Sequence, residues 1–545
     1  MNTAELLVRC LENEGVEYIF GLPGEENLHV LQALKNSSIQ FITTRHEQGA
    51  AFMADVYGRL TGKAGVCLST LGPGATNLMT GVADANLDGA PLVAITGQVG
   101  TDRMHIESHQ YLDLVAMFDP VTKWSTQIVR PSNTPEIVRK AFKIAQSEKP
   151  GAVHIDLPEN IAAMSVTGKP LNRDSQEKTY SSLRTLNNAA KAISAAKYPL
   201  ILVGNGAIRA DASEALTEFA SRLSIPVANT FMGKGVMPYT HPLALWTVGL
   251  QQRDYVSCAF DRADLVIAIG YDLIEYSPKK WNPTGEVPII HIGATPAEID
   301  SSYIPTVEVV GDISDSLTEI LQRANREGKT VSDIEDLRSD IRADYEEYAN
   351  DDGFPIKPQK LIYDLRQVLE PEDIAICDVG AHKMWMARHY HGDRPRTCII
   401  SNGFAAMGIA LPGAIAAKLV HPHRKVVAVT GDGGFMMNCQ ELETALRVGT
   451  PFVTLIFNDG GYGLIEWKQQ NQFGESAFVH FSNPDFVKLA ESMGLKGYRI
   501  ESAADLIPTL KTALAQDVPA VIDCPVDYGE NLRFTRKAGD LSCKM

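Results

Sequence analysis

An α/β fold of three doubly wound parallel-sheet domains is predicted by two features of the sequence. Short runs rich in Val, Ile and Leu recur along the chain and alternate with helical patterns: GVCLST, PLVAITG, AVHIDLP, PLILVGNG, LVIAIG, PIIHIG, IAICDVG, KVVAVTGDGG, FVTLIFND and PAVIDCPV. A continuous apolar run suits a strand buried on both faces, and endings in Gly, Asp or Thr open onto loops where such sheets bind ligands. The chain also has 545 residues, more than one core organises, so two or three domains are expected.

Two stretches break the alternation. Residues 166–184 are polar and aperiodic, as a linker is, and residues 325–358 are highly charged and end in GFPIKP. Domains are therefore expected near 1–165, 186–325 and 359–545, each a size that one α/β domain favours. The opening MNTAELLVRCLENEG carries charges throughout and reads as an amphipathic helix rather than a signal peptide. No apolar run reaches the roughly 18 residues of a membrane span, so no membrane association is expected.

Hydrophobic residues make up 45% of the chain and charged ones 21%, ordinary for a soluble enzyme. Fifty basic against 66 acidic residues leave a net charge of −16, which disfavours nucleic acid and anionic membrane as partners. The eight cysteines show no CxxC spacing and read as reduced thiols in a cytoplasmic protein, rather than as disulfides or zinc ligands.

The chemistry concentrates in VVAVTGDGGFMMNCQELETAL, where a strand is expected to end at Gly431-Asp432-Gly433-Gly434 and a helix to follow. Glycines there let backbone N–H groups approach a phosphate, and a helix start adds positive partial charge. Neither GxGxxG nor GxxxxGK[ST] is present. Asp432 would repel a bare phosphate but suits a hard divalent ion such as Mg²⁺ lying between the two. Twenty-four residues separate Gly433 from Asn458, room for a helix and a returning strand, so Asp459 is expected at a neighbouring strand end sharing that ion. Either aspartate alone would serve equally as an N-cap or turn former.

GDG, about two dozen residues and then Asn458-Asp459 resembles the thiamine diphosphate motif, which more often ends in Asn-Asn; FAD-independent acetolactate synthases share the Asp. The resemblance implies thiamine diphosphate and Mg²⁺ as cofactors. Asp432, Asp459 and the Gly461 carbonyl would hold the metal, with Gly431, Gly433, Gly434, Tyr462 and Gly463 around the diphosphate. FGLPGEENL, TTRHEQGAAFMADVYGRLTG and STLGPGATNL resemble that family's pyrimidine-binding domain. There Glu47 matches the carboxyl group that exchanges a proton with N1′ of the cofactor, and Pro23, Pro73 and Asn77 match cofactor neighbours. Taken alone, Glu47 is also a good first-turn helix acid. In SNGFAAMGIALPG, Met407 matches the apolar wedge between the cofactor rings and Ala405 a backbone contact; a core methionine is the other reading. In DVGAHKMW, Ala381 and His382 match diphosphate contacts.

The resemblance extends over essentially the whole chain, including LVIAIGYDLIEYSPKKWNP, and the RFDDR-like segment of FAD-containing relatives is missing, so no FAD is expected. It also implies a homodimer or homotetramer with active sites between subunits.

The substrate would be a small 2-oxo acid that loses CO₂. What remains takes up either a proton or a second 2-oxo acid. His109-Gln110 in IESHQYLDLVAMFDPVTKW resembles the FAD-independent synthases and suits the second outcome. Leu464 and Ile465 match pocket-lining positions, and Lys468 falls near them on a helix expected to begin at Tyr462. If Lys468 faces the pocket rather than solvent, aided by Arg253 or His109, it would suit a substrate that keeps a distal carboxylate; Lys383 is a further cation of this kind. The chain as a whole also looks like the 2-oxoglutarate decarboxylases of acetolactate-synthase type, so decarboxylation of 2-oxoglutarate to succinic semialdehyde is expected ahead of acetolactate synthesis from two pyruvates. A nucleotide-binding oxidoreductase and a non-catalytic relative are the remaining readings.

Overall fold

The computed structural model describes residues 1–173, 178–250, 255–331 and 334–539, with side chains through residue 535. Among the described residues, eighteen strands form three six-stranded sheets, and every strand pair within them is parallel.

The first sheet contains β1 (Tyr18–Gly21), β2 (Gln40–Thr43), β3 (Gly65–Ser69), β4 (Leu92–Gln98), β5 (Trp124–Gln127) and β6 (Ala152–Pro158), in the order β2-β1-β3-β4-β6-β5. The second contains β7 (Pro199–Val203), β8 (Val227–Asn229), β9 (Ala244–Thr247), β10 (Leu265–Ile269), β11 (Ile289–Gly293) and β12 (Val307–Val310), in the order β12-β11-β10-β7-β8-β9. The third contains β13 (Ile374–Cys377), β14 (Cys398–Ile400), β15 (Val426–Gly431), β16 (Val453–Asn458), β17 (Lys496–Arg499) and β18 (Ala520–Pro525), in the order β14-β13-β15-β16-β18-β17. The first and third sheets thus repeat one connectivity, while the middle sheet follows another.

Each of the ten apolar runs contains a strand. The six edge strands β2, β5, β9, β12, β14 and β17, with the short inner strands β1 and β8, escaped the sequence reading. An edge strand is shielded less completely and needs no continuous apolar run: β5 is half-buried along its whole length, and β17 mixes exposed with half-buried positions.

The terminal sheets are joined by one apolar core. It runs from the helix Glu47–Thr61, through Ala50, Met53 and Ala54, into the helix Ala410–Val420, through Ala410, Ala414 and Ala417. Small residues let these helices approach closely: a Cβ added at Gly413 would lie 2.8 Å from Val56 Cγ2. A second bond fastens the same two units, because the Glu441 carboxylate accepts the Arg45 and His46 N–H groups at 3.0 Å each.

The charged stretch after residue 325 contains the helix Ile334–Glu346. Cys10, Cys67, Cys377, Cys398, Cys439 and Cys524 are free thiols, but Cys258 is disulfide-bonded, contrary to the all-thiol expectation. No described helix is long and apolar enough to cross a membrane.

Candidate active site

Glu47 is the first residue of its helix, and His46 caps it by accepting the Gln48 N–H on Nδ1 at 3.0 Å. The Glu47 side chain is buried, and its Oε2 accepts from Asn77 Nδ2 at 3.0 Å. Asn77 lies on the helix Pro73–Leu87, which leaves the end of β3 through Gly72. A Cβ at Gly74 would sit 3.3 Å from Glu47 Oε1 and 2.9 Å from Thr70 Cγ2, and one at Gly24 would sit 2.4 Å from Thr70 Cβ. Pro23 and Pro73, each next to one of these glycines in the chain, are exposed.

Gln110, with φ 58°, lays its backbone against Gly72, where a Cβ would be 2.8 Å from the Gln110 carbonyl oxygen. Its loop is tied down by Gln98, whose Nε2 donates to Leu112 O at 3.0 Å. His109 is exposed on that loop.

The second constellation stands at the C-terminal edge of the third sheet. Asp432 is 1% exposed at the start of the helix Asp432–Asn438. Its Oδ1 accepts the Gly433 N–H at 2.8 Å, and its Oδ2 accepts the Gly460 N–H at 2.8 Å and Asn483 Nδ2 at 2.7 Å. Asp459 follows β16, the neighbour of β15. Burial first, then the Asp432 charge, pushes the Asp459 carboxyl up to about 8; burial also raises Asp432.

Two mutually repelling carboxyl groups in one crevice are what a divalent cation relieves. Among the described residues no group of three or more His, Cys, Asp or Glu side chains gathers to hold a metal. The pair therefore leaves coordination open to other oxygens, such as the Gly461 carbonyl and a phosphate. His382 is buried with Nε2 lacking a partner, and burial lowers its pKa to about 3. It follows Ala381, the first residue of the helix Ala381–His389. A Cβ at Gly433 would meet Tyr462 Cε1 at 2.8 Å, so only glycine keeps Tyr462 close over the helix start. An orphaned buried nitrogen, a glycine-lined helix start and paired acids fit a metal-bound diphosphate.

The loop 401–408 is held at both ends by carboxylates. Asp84 Oδ1 accepts Ser401 Oγ at 2.7 Å and the Ala406 N–H at 3.1 Å. Asp88 accepts the N–H groups of Asn402, at 3.0 Å, and Gly403. Arg59 gathers Asp55, Asp84 and Asp88 at 2.6, 2.9 and 2.8 Å. Beyond Met407, both Asp378 oxygens accept the Gly408 N–H at 2.8 and 3.0 Å. Between the anchors Ala405 is held at φ 58° and Met407 is half-buried. A left-handed alanine costs about 1–2 kcal/mol, so this conformation is imposed by its anchors.

Asp84, Asp88, Arg59, Asp378 and Asn483 escaped the sequence reading. The acids of ADANLDG look like helix solubilisers, and NPD like an ordinary turn; neither pattern signals its distant partner.

The helix Gly463–Phe473 begins one residue later than expected. Leu464 packs half-buried against the third domain's core, Ile465 is 47% exposed and Lys468 is exposed. The expected contribution of Arg253 lies outside the described residues. Lys383 is buried, with its ammonium 5.7 Å above the Phe231 ring of the middle domain, and burial lowers its pKa.

Fold and site together define a thiamine pyrophosphate enzyme. Residues 1–117, 186–320 and 378–524 match, in turn, the N-terminal TPP binding domain, the central domain and the C-terminal TPP binding domain of thiamine pyrophosphate enzymes. Acetolactate synthase of Bacillus subtilis (strain 168) is 37% identical over 540 residues, covering 97% of this chain and 94% of the relative. A probable acetolactate synthase large subunit of Methanococcus aeolicus is 38% identical over 569 residues, covering 99% and 95%. The catabolic acetolactate synthase of Raoultella terrigena is 37% identical over 535 residues, covering 97% and 95%.

The chain belongs to the acetolactate synthase family of thiamine-diphosphate-dependent enzymes. These names overturn the expectation that 2-oxoglutarate decarboxylation comes first. That expectation rested on Lys468 and on a resemblance to 2-oxoglutarate decarboxylases; Lys468 lies on the exposed face of its helix, where a cation is satisfied by water without any substrate.

Proposed function

We propose that the protein joins two pyruvate molecules into 2-acetolactate, releasing CO₂. The reading is supported above all by end-to-end similarity to acetolactate synthases, together with Glu47 bonded to Asn77 and the Asp432–Asp459 pair. Thiamine diphosphate, when bound, supplies a thiazolium carbon that adds to the keto group of a 2-oxo acid and accepts the electron pair left as CO₂ departs.

In this reading Glu47 holds and returns a proton at N1′ of the pyrimidine, and Asn77 keeps its carboxyl oriented. Met407, on its clamped loop, separates the two cofactor rings. Asp432, Asp459 and the Gly461 carbonyl hold Mg²⁺, while His382 and the Gly433–Gly434 turn bind the diphosphate. Gln110, His109, Leu464 and Ile465 line the substrate side. Pyruvate keeps no distal carboxylate, so Lys468 has no anion to grip, and no flavin enters the scheme.

The three units, taken as 1–165, 186–325 and 359–545, act in a homodimer or larger homo-oligomer. Glu47 is bonded within the first unit and Asp432 within the third. Apolar side chains on site-bearing segments stand exposed, among them Ile106 at 53%, Phe404 at 43% and Met437 at 40%, as a surface covered by a second copy would.

The test is carbon-13 NMR of the products from labelled pyruvate with thiamine diphosphate and Mg²⁺. Acetolactate is expected; acetaldehyde as the dominant product would make the protein a decarboxylase.

A further inference from the structure

Two polar side-chain atoms at the C-terminal edge of the third sheet are buried without a hydrogen-bond partner among the described residues: His382 Nε2 and the Tyr528 hydroxyl. Tyr528 stands three residues past β18, in PVDYGEN, and carries no motif that marks it. Its ring packs on Gly463, where an added Cβ would lie 3.0 Å from Tyr528 Cδ2 and 2.4 Å from Asp459 Oδ2. The phenol and the metal-site carboxylate therefore meet over the same glycine. Burial is the largest influence on this phenol, followed by the charges of Asp459 and Asp432, and all raise its pKa.

Ring packing does not account for the oxygen, because phenylalanine would fill the same space without burying an unbonded hydroxyl. Neither carboxylate accepts its proton, although both act on it electrostatically. A cation between Asp432 and Asp459 would engage those carboxylates further. The hydroxyl is thus left without an acceptor among the described residues.

We infer that Tyr528, set beside Asp459 across Gly463, donates its hydroxyl hydrogen to a diphosphate oxygen of the cofactor. The inference rests on the cofactor reading above. It makes Tyr528 a binding residue contributed from beyond the last strand, alongside His382 on the other side of the sheet's centre. A phenol holds its proton at neutral pH, so it donates and cannot compete as a base.

The experiment is calorimetric titration of Tyr528→Phe and wild-type protein with thiamine diphosphate at saturating Mg²⁺, followed by competition with inorganic pyrophosphate. Loss of a charge-assisted hydrogen bond should weaken thiamine diphosphate about tenfold or more, and pyrophosphate by the same factor. The melting temperature of the cofactor-free variant should equal or exceed that of wild type. Wild-type affinity in the variant would overturn the inference, as would a loss confined to thiamine diphosphate. A loss recovered by raising Mg²⁺ would also overturn it, since the hydroxyl would then act on Asp459. If wild-type protein itself bound no thiamine diphosphate, the cofactor reading would fail first, which is a separate result.

Discussion

In the proposed reaction the smallest unit is Glu47 with the Asn77 side chain bonded to it. Glu47→Gln keeps an oxygen that can accept from Asn77 but cannot exchange a proton at N1′. Turnover should fall about 10²- to 10⁴-fold, while the dissociation constant for thiamine diphosphate stays within a few-fold. A near-normal rate would remove Glu47 from the mechanism. Asp432→Ala should abolish metal-dependent cofactor binding, because the metal loses a ligand and the Gly433 and Gly460 N–H groups lose their acceptor; titration in Mg²⁺ and in EDTA checks this.

A different residue contributes to acid stability. His154 is buried against Phe118 between the Thr96 and Ser125 hydroxyls, and burial lowers its pKa from 6.5 to about 3. Its imidazole stays neutral when folded and gains a proton on unfolding, so stability falls as pH drops from about 6.5 toward 3 and is unaffected above that window. His154→Gln should flatten this limb by about one proton, measured as urea midpoints across pH; a limb as steep as wild type would acquit His154.

At the scale of elements, the loop 401–408 is the part whose shape is made elsewhere. Helix Pro73–Leu87 contributes Asp84 and Asp88, helix Glu47–Thr61 contributes Arg59, and the end of β13 contributes Asp378. Asp88→Ala strips two loop N–H groups of their acceptor and leaves the buried Arg59 short of a partner. Breaking a buried pair costs about 3–5 kcal/mol. The melting temperature should drop, and thiamine diphosphate should stabilise the variant less than wild type in the same thermal scan. An unchanged cofactor response would mean that the loop keeps its shape without Asp88. The ten apolar runs were legible because a strand buried on both faces excludes polar residues. The edge strands were not, because a strand shielded on one side needs no continuous apolar run, and this loop was not, because the Asp84 and Asp88 that shape it lie far away in the chain, on a helix of the first domain.

For the whole molecule, the proposed reading brings the third domain's metal constellation of one copy to the first domain's acid constellation of another. Sedimentation velocity should give a mass at least twice the 59.4 kDa of one chain, with specific activity falling together with the oligomer on dilution. A fully active monomer would refute the shared site.

The alternation of apolar strands and helices, the GDG-to-Asp459 spacing and the RHEQG segment were readable in order along the chain, because each depends on neighbouring residues and backbone periodicity. The substrate expectation failed for the converse reason. Lys468 is one residue on one helix face, and its direction is decided by how that helix rolls onto the core through Leu464 and Trp467. Sequence alone determined the α/β class and the thiamine diphosphate family, and it singled out Glu47 as the proposed catalytic acid. Only tertiary structure decided that Asp84 and Asp88 clamp the Met407 loop, that Asn483 bridges Asp432 and Asn458, and that Tyr528 faces Asp459. Hydrogen bonds between residues far apart in the chain leave no local pattern, since any acid, amide or phenol looks the same until the fold supplies its partner.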